Sequence, residues 1–412
     1  MTETSVPAVF ARGGTSKGLF FRAEDLPEDR AARDRIFLSA LGSPDPHGRQ
    51  LDGMGGGLSS LSKAAVLGPP THPDADVDYT FAQVSVDSPV VDYGLNCGNM
   101  ASAVGPVALD MGLLPLPDDG PLTVRIHATN TGQLIEAEFE VASGRAVTSG
   151  DFALDGVAGT GAPIRLAFLE PGGAMTGRLL PTGNPTDVLE VEGIGRVEVS
   201  LVDAANPVVF VEAGSLRRDG AQPAGTVLTG AETPDELEAT PGLEPALERI
   251  RRAGTVAMGM ASSPDQVGPA NPKIAVVSRA QDAVGLNGET LPAAGHDLTV
   301  RMVSMGRIHR AVTSTGALCL AAAAAVPGTL PARVRRADGV AAGSGEGAVV
   351  GKDGAVQEDA AAPGVLRIGH PSGVTPVTAE VERRGDGGWH ARGVSLFRTA
   401  RILMHGEVAV RG

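Results

Sequence analysis

The sequence is short of several residue types, and each shortage removes an explanation. Only two cysteines, Cys97 and Cys319, occur in 412 residues. That excludes a disulfide framework, and no short Cys/His cluster with zinc spacing stands in its place. A reducing cytoplasm is therefore the expected compartment, and no metal is expected. Aromatic residues make up 3% of the chain, which leaves the core to Val, Ala, Leu and Ile. Cations are outnumbered, with 34 Lys and Arg against 48 Asp and Glu and a formal charge of -14. A nucleic-acid binder advertises a basic patch, so that partner is excluded, whereas a small anionic substrate needs only a few local cations. No basic segment followed by an apolar run opens the sequence, so no signal peptide is expected. The most apolar stretch, residues 316–327, is far too short to cross a bilayer, and no membrane partner is expected.

What is abundant is turn chemistry. The 56 glycines and 30 prolines, set in 42% hydrophobic residues, describe a turn-rich, β-containing globular protein and not a disordered chain. The length favours two domains. Residues 6–11 and Leu19-Phe20-Phe21 read as strands on either side of Arg12-Gly13-Gly14-Thr15-Ser16-Lys17-Gly18, a hairpin-like loop whose amides point at whatever occupies it. A helix is expected over 28–42, and a second glycine loop, 52–57, leads into Ser59–Leu67, read as helical. After a strand at 76–86 comes a small-residue helix from Asn99 to Met111, with a kink expected at Pro106. Strands follow at 121–128, 133–142, 163–168 and 187–191.

A second unit reads from Gly193, with strands at 196–201 and 208–211, a helix at 234–252, strands at 273–278 and 297–305, and the small-residue helix that carries Cys319. Strands dominate again from 345 to 390. Each half thus follows the same order: strand, turn, helix, strands, cysteine, small-residue helix, strands. The expected domains are 1–192 and 193–392, with a tail, 393–412, returning to pair with the first half.

The cysteines lead the candidate chemistry. Each opens a run of small residues, which would put each thiol near a helix N-terminus, where free amides and the dipole favour a thiolate. Most free cysteines are small apolar fillers. Around Cys97, however, Asn96, Gly98 and Asn99 suit turns and hydrogen bonding better than a core, while Leu318 and Leu320 beside Cys319 are ordinary core residues. Lys63 borders an apolar run, where desolvation would lower its pKa and make it a usable base; a lysine there otherwise snorkels to solvent. Ser59 and Ser60, after three glycines, resemble an anion cradle. Thr15, Ser16 and Lys17 form a further anion-binding candidate, but the spacing is not that of a phosphate loop. The turn His370-Pro371-Ser372-Gly373 reads equally well as a surface turn or a ligand contact. Ser314 and Thr315 precede Cys319 as a partial anion turn. No Ser-His-Asp elbow is present.

Several blocks in fixed order resemble one known family: 12–18, Arg49-Gln50-Leu51-Asp52-Gly53-Met54-Gly55-Gly56, Ser59–Lys63, Asn96-Cys97-Gly98-Asn99, Ala103-Val104-Gly105-Pro106, 370–373 and Arg398-Thr399-Ala400-Arg401. They are similar to the 2-methylaconitate cis-trans isomerases, a family that also holds 4-oxalomesaconate tautomerases and methylitaconate isomerases. The resemblance spans nearly the whole chain. It implies an α+β fold like that of diaminopimelate epimerase, with two similar domains, each a curved, mostly antiparallel or mixed sheet wrapped around a central helix, and the site in the cleft between them. It implies isomerisation without cofactor or metal, on an unsaturated di- or tricarboxylate, and is compatible with a homo-oligomer. Lys63 matches the family's acid/base lysine and Cys97 the cysteine facing the substrate. Ser16 and Lys17 match the N-terminal loop, Ser59 and Ser60 lie where carboxylate-binding groups are expected, and Cys319 matches the second epimerase cysteine.

The expected chemistry is allylic proton transfer, with the intermediate anion held by glycine-loop amides and Lys17. The rival readings are an amino acid epimerase or racemase, which needs both Cys97 and Cys319, and a non-catalytic polycarboxylate-binding protein, which needs only the anion loops.

Overall fold

A computed structural model of the chain describes residues 3–94, 96–216, 227–336, 364–385 and 387–411. Two compact units emerge: Met1–Ala167 with Phe397–Gly412, and Phe168–Leu396. Residue 192 lies inside the second unit, in the turn between strands Asp187–Val191 and Gly195–Ala204. Residues 393–396 also belong to the second unit.

In the first unit, strand Glu3–Gly13 turns through Gly14 and Thr15 into Ser16–Arg22. Ser16–Arg22 runs parallel to Lys63–Gly68, which pairs antiparallel with Val77–Val84; that strand runs parallel to Gly120–Ala128, itself antiparallel to Gln133–Ala142. Strand Ala400–Arg411 pairs with Glu3–Gly13 along its length. Period-two alternation gives this sheet two faces. One carries Val6, Ala8, Phe10, Leu19, Phe21, Ala64, Val66, Ala82 and Val84, covered by Phe37, Ala40 and Leu41 of the helix Arg30–Leu41. That helix starts where Asp29 accepts from the Ala32 amide at 2.8 Å and stops at Gly42, whose φ of 75° suits the left-handed cap. The other face wraps the helix Gly98–Asp110, which packs against the strands on several sides and is buried from Gly98 to Leu109. The helix runs through Pro106 as one element. Only small residues allow so close a wrap: a Cβ on Gly13 would stand 2.3 Å from the Asn99 carbonyl oxygen.

The second unit repeats this plan. Hairpin Gly195–Ala204 and Asn206–Glu212 turns at Ala205, and Asn206–Glu212 runs parallel to Lys273–Arg279. Lys273–Arg279 pairs antiparallel with Leu298–Ser304, which runs parallel to Val365–His370, itself antiparallel to Gly373–Arg383. Leu243, Leu247 and Ile250 of the helix Leu243–Ala257 cover one face, and the helix Ser314–Ala325, capped by Thr313, lies buried against Gly195–Ala204, Asn206–Glu212 and Gly373–Arg383. The helix expected at 234–252 divides in two, Pro234–Glu238 and Leu243–Ala257, at the Pro241-Gly242 turn. Of the strand region expected from 345 to 390, residues 345–363 lie outside the described residues. Among the described residues, no helix is long and apolar enough to cross a membrane.

Candidate active site

Lys63 is the first residue of a strand, not part of a helix. A six-residue apolar run carries too little periodicity to separate the two; here it is a central strand, buried at every position. Because Ala64 faces the outer cluster, Lys63 projects from the opposite face, toward the helix Gly98–Asp110. Its side chain is 6% exposed, and Nζ donates to Gln83 Oε1 at 2.6 Å and sits 5.0 Å from the Phe81 ring centroid. Gln83 lies directly opposite Lys63 in the antiparallel ladder. Its own amide donates to the carbonyls of Ser59 and Ser62, at 3.0 and 2.9 Å, which fixes the oxygen toward the lysine. Among the described residues no carboxylate pairs with Lys63. Burial therefore pushes its pKa down, opposed by the negative charge that Cys97 carries when ionised.

Cys97 is the N-cap of the helix Gly98–Asp110, and its side chain makes no capping hydrogen bond. The thiol is partly exposed at the positive end of the helix. Neighbouring groups hold it in place. Tyr79 Oη donates to the Cys97 carbonyl at 3.3 Å, and Asn96 Nδ2 donates to Thr131 Oγ1 and Gln133 Oε1. Burial drives the Tyr79 phenol far above its usual pKa, so it stays a neutral donor.

Gly98 and Asn99 open the helix. Asn99 Oδ1 accepts from the Thr15 amide at 3.4 Å and from Arg398 Nε at 3.2 Å, while its Nδ2 donates to Thr15 Oγ1 at 3.0 Å. Asn99 thus ties together the hairpin turn, the helix start and a buried arginine. Burial lowers the Arg398 pKa to about 10. Arg12, lowered by burial and by Arg401, spans the Gly14 and Thr399 carbonyls. Ser16, 4% exposed, shares the helix-facing side of its strand.

The structure brings together Lys63, Cys97, Asn99, Thr15 and Ser16, and modifies the reading of the remaining candidates. The loop amides are not open to a ligand at Gly14 and Thr15, which donate to Thr399 O and Asn99 Oδ1. Lys17 points away from this group, since its strand alternation places it on the outer face, 5.4 Å from the Phe10 ring centroid. Ser59 and Ser60 form a short 3-10 turn, where the Ser59 carbonyl serves Gln83.

In the second unit, Cys319 is six residues into its helix, not at the N-terminus, because Thr313 takes the cap. It is fully buried and its thiol donates to the Val202 carbonyl at 3.4 Å; burial drives its pKa well upward. Ser314 and Thr315 are the first helical residues, both buried, and Thr315 Oγ1 accepts from Asn206 at 3.0 Å. His370 and Ser372 staple a turn that ends at Gly373: the ring meets Thr375 Oγ1 at 2.8 Å and the Ser372 amide at 3.2 Å, and Ser372 Oγ donates to Arg310 O.

Gln83 and Tyr79 were invisible to motif reading, since each matters only through the strand opposite it or the loop above it. Arg398 carried a signal in the 398–401 block. Among the described residues no cluster of His, Cys, Asp or Glu is arranged to hold a metal.

The doubled plan is that of a known structural class. A structure described as a probable proline racemase of Agrobacterium radiobacter K84 superposes with a TM-score of 0.51 over 98% of this chain and 93% of its own, at 14% identity, a likeness of fold alone. A crystal structure of methylitaconate-delta-isomerase is much nearer, with a TM-score of 0.75 at 40% identity, covering 100% of this chain and 96% of the other. Among curated relatives, 3-methylitaconate isomerase of Eubacterium barkeri is 42% identical over 99% of this chain and 98% of its own length. The 2-methyl-aconitate isomerase of Cupriavidus necator is 38% identical over 100% and 98%, and the 4-oxalomesaconate tautomerase of Pseudomonas putida 36% identical over 100% and 97%. The protein is by class an isomerase. The PrpF protein family model matches residues 3–346, and the chain belongs to that family.

Proposed function

We propose that the protein isomerises small unsaturated di- or tricarboxylates by allylic proton transfer, without a cofactor. The observation that carries this reading is a buried lysine held by a neutral amide and electrostatically coupled to a thiol that stands at a helix N-terminus without a capping hydrogen bond. Neutral Lys63 takes a proton from the carbon next to the double bond, leaving a dienolate delocalised over the alkene and a carboxylate or keto group. Cys97 returns a proton at the far carbon, which shifts the double bond, or rotation within the anion precedes reprotonation and gives a cis-trans outcome. One C–H bond breaks and one forms, so no oxidant or reductant is required. The helix N-terminus and Arg398 bring positive potential toward the developing negative charge, the largest contribution in most such reactions.

The relatives named above act on methylitaconate, 2-methylaconitate and 4-oxalomesaconate. A panel of these acids followed by proton NMR tests the reading, because each product has its own alkene signals. Turnover of at least one is expected; none turning over would overturn it. A two-thiol epimerase reading finds no support at Cys319, which is enclosed within its helix packing and bonded to a main-chain carbonyl.

A further inference from the structure

We propose that Gln83 is the positioning residue for the base: an uncharged acceptor, locked in one orientation by the segment that follows the glycine loop, which leaves Lys63 a neutral amine with its lone pair free. The inference rests on the isomerase reading above and lies wholly within the first unit. It starts from strand register. Lys63 and Gln83 are partners in the antiparallel ladder, so their side chains leave the sheet on one face, side by side. That places Oε1 2.6 Å from Nζ. An amide turned end for end keeps its shape, but here the turn is forbidden. Nε2 donates to the carbonyls of Ser59 at 3.0 Å and Ser62 at 2.9 Å, and the reversed amide would set an oxygen against both of these oxygens and its donors against the lysine.

The lock is itself held from behind. Ser62, the residue before Lys63, is fully buried; its Oγ accepts from Gln50 Nε2 at 2.7 Å, and its carbonyl also accepts from the Val84 amide at 3.2 Å. Gln50, 1% exposed, reaches Ser43 Oγ with the same amide nitrogen at 2.8 Å, and its Oε1 accepts from the Gly57 amide at 3.0 Å. Its backbone N–H donates to the Asp45 carboxylate at 2.6 Å. The glycine loop is thus tied to Gln50, Gln50 to Ser62, and Ser62 to Gln83.

The chemistry of the acceptor decides the state of the base. A carboxylate at this distance would hold the ammonium, and an apolar side chain would leave Nζ unaimed. An amide oxygen accepts an N–H from the amine as it does from the ammonium, and the amine keeps its lone pair for the substrate proton. Two charged or titratable groups come near from the packed elements: Cys97 from the helix start and Tyr79 from the face of Val77–Val84 that carries Gln83. Asp110 closes the other end of the helix, and Arg22 pairs with Glu24 beyond the far end of the lysine's strand. An acidic residue at position 83 would therefore bring Lys63 a carboxylate that its surroundings otherwise withhold.

The test reads the lysine directly in the full-length protein. The sequence holds four lysines, Lys17, Lys63, Lys273 and Lys352, so isotopic labelling at the lysine ε-carbon gives four NMR signals to titrate, and Lys63→Met identifies the one that belongs to Lys63. The titration is run in a Cys97→Ser background, which removes the thiol charge that reaches Lys63. Gln83→Glu, nearly identical in shape, should raise the Lys63 ionisation by about 1–3 pH units. In otherwise wild-type protein, the acid limb of kcat for whichever acid is turned over should move up with it. Gln83→Met, which can neither aim the amine nor bond the two carbonyls, should lower kcat by about 10- to 100-fold with KM within about threefold. An unshifted Lys63 signal in Gln83→Glu would overturn the proposal, as would a Gln83→Met enzyme whose kcat is unchanged or whose loss lies in KM alone. Circular dichroism separates misfolding from these outcomes, and Gln83→Glu decides if Gln83→Met does not fold. Because the lysine signal is read without substrate, failure of the isomerase reading would show separately, as a wild type that interconverts no acid.

Discussion

At the scale of single residues, the proposed mechanism depends on the lowered pKa of buried Lys63. A positioned acid or base contributes roughly 100 to 10,000-fold. Lys63→Ala should therefore lower kcat by at least about 100-fold with circular dichroism unchanged, measured by the proton NMR assay; a loss under about tenfold would remove Lys63 from the mechanism. Cys97→Ser keeps the cap position and removes the acidic thiol, so turnover should drop while proton removal at the lysine side, followed by deuterium uptake, persists. The pH dependence follows from the direction of the Lys63 shift. Activity should rise with pH through an ionisation below the usual lysine value of 10.5. Stability should move the same way, because the folded lysine releases its proton before the unfolded one does. Between the lowered folded value and 10.5 the unfolded state binds more protons, so wild type gains stability relative to Lys63→Met as pH rises. Urea unfolding of the pair across that window checks the sign.

At the scale of elements, the hairpin turn and the helix start act as one piece. Gly13→Ala would drive a Cβ against the Asn99 carbonyl oxygen, a backbone atom that cannot swing aside. Overpacking of this kind costs about 1–3 kcal/mol, and it displaces Asn99 in the first turn of the helix that Cys97 caps, so thermal stability and kcat should fall together. Sequence legibility divides along the same line. The glycines of the hairpin, the Cys97 helix and the repeated order of elements could be read, because turn chemistry and small-residue runs are local signals. The strand identity of Lys63–Gly68 could not, since a fully buried strand loses its alternation. Nor could the outward aim of Lys17, which is fixed by pairing with a strand whose register the sequence does not state. Cys319 misled for a related reason: the residue pattern marked its helix, but the cap at Thr313 begins that helix well before the thiol.

For the whole molecule, the duplication explains more than either cysteine does. Two copies of one topology begin equivalent strands with Lys63 and Lys273, while only the first copy puts a thiol at the helix cap. The last strand, Ala400–Arg411, joins the first strand of the chain, and the first unit otherwise ends at Ala167. Removing residues 400–412 should strip the partner from Glu3–Gly13 and expose the cluster around Val6 and Phe10. Val408 and Val410 alone, at about 1.5–3 kcal/mol each, put the loss at no less than about 3 kcal/mol, readable as a lowered urea midpoint.

The most direct measurement is deuterium uptake from heavy water into whichever acid of the panel wild type turns over, followed by proton NMR in wild type and Lys63→Ala. Wild type should wash label into the carbon next to the double bond and generate the alkene signals of the isomer, while Lys63→Ala should do neither. Exchange at the wild-type rate in Lys63→Ala would contradict the account.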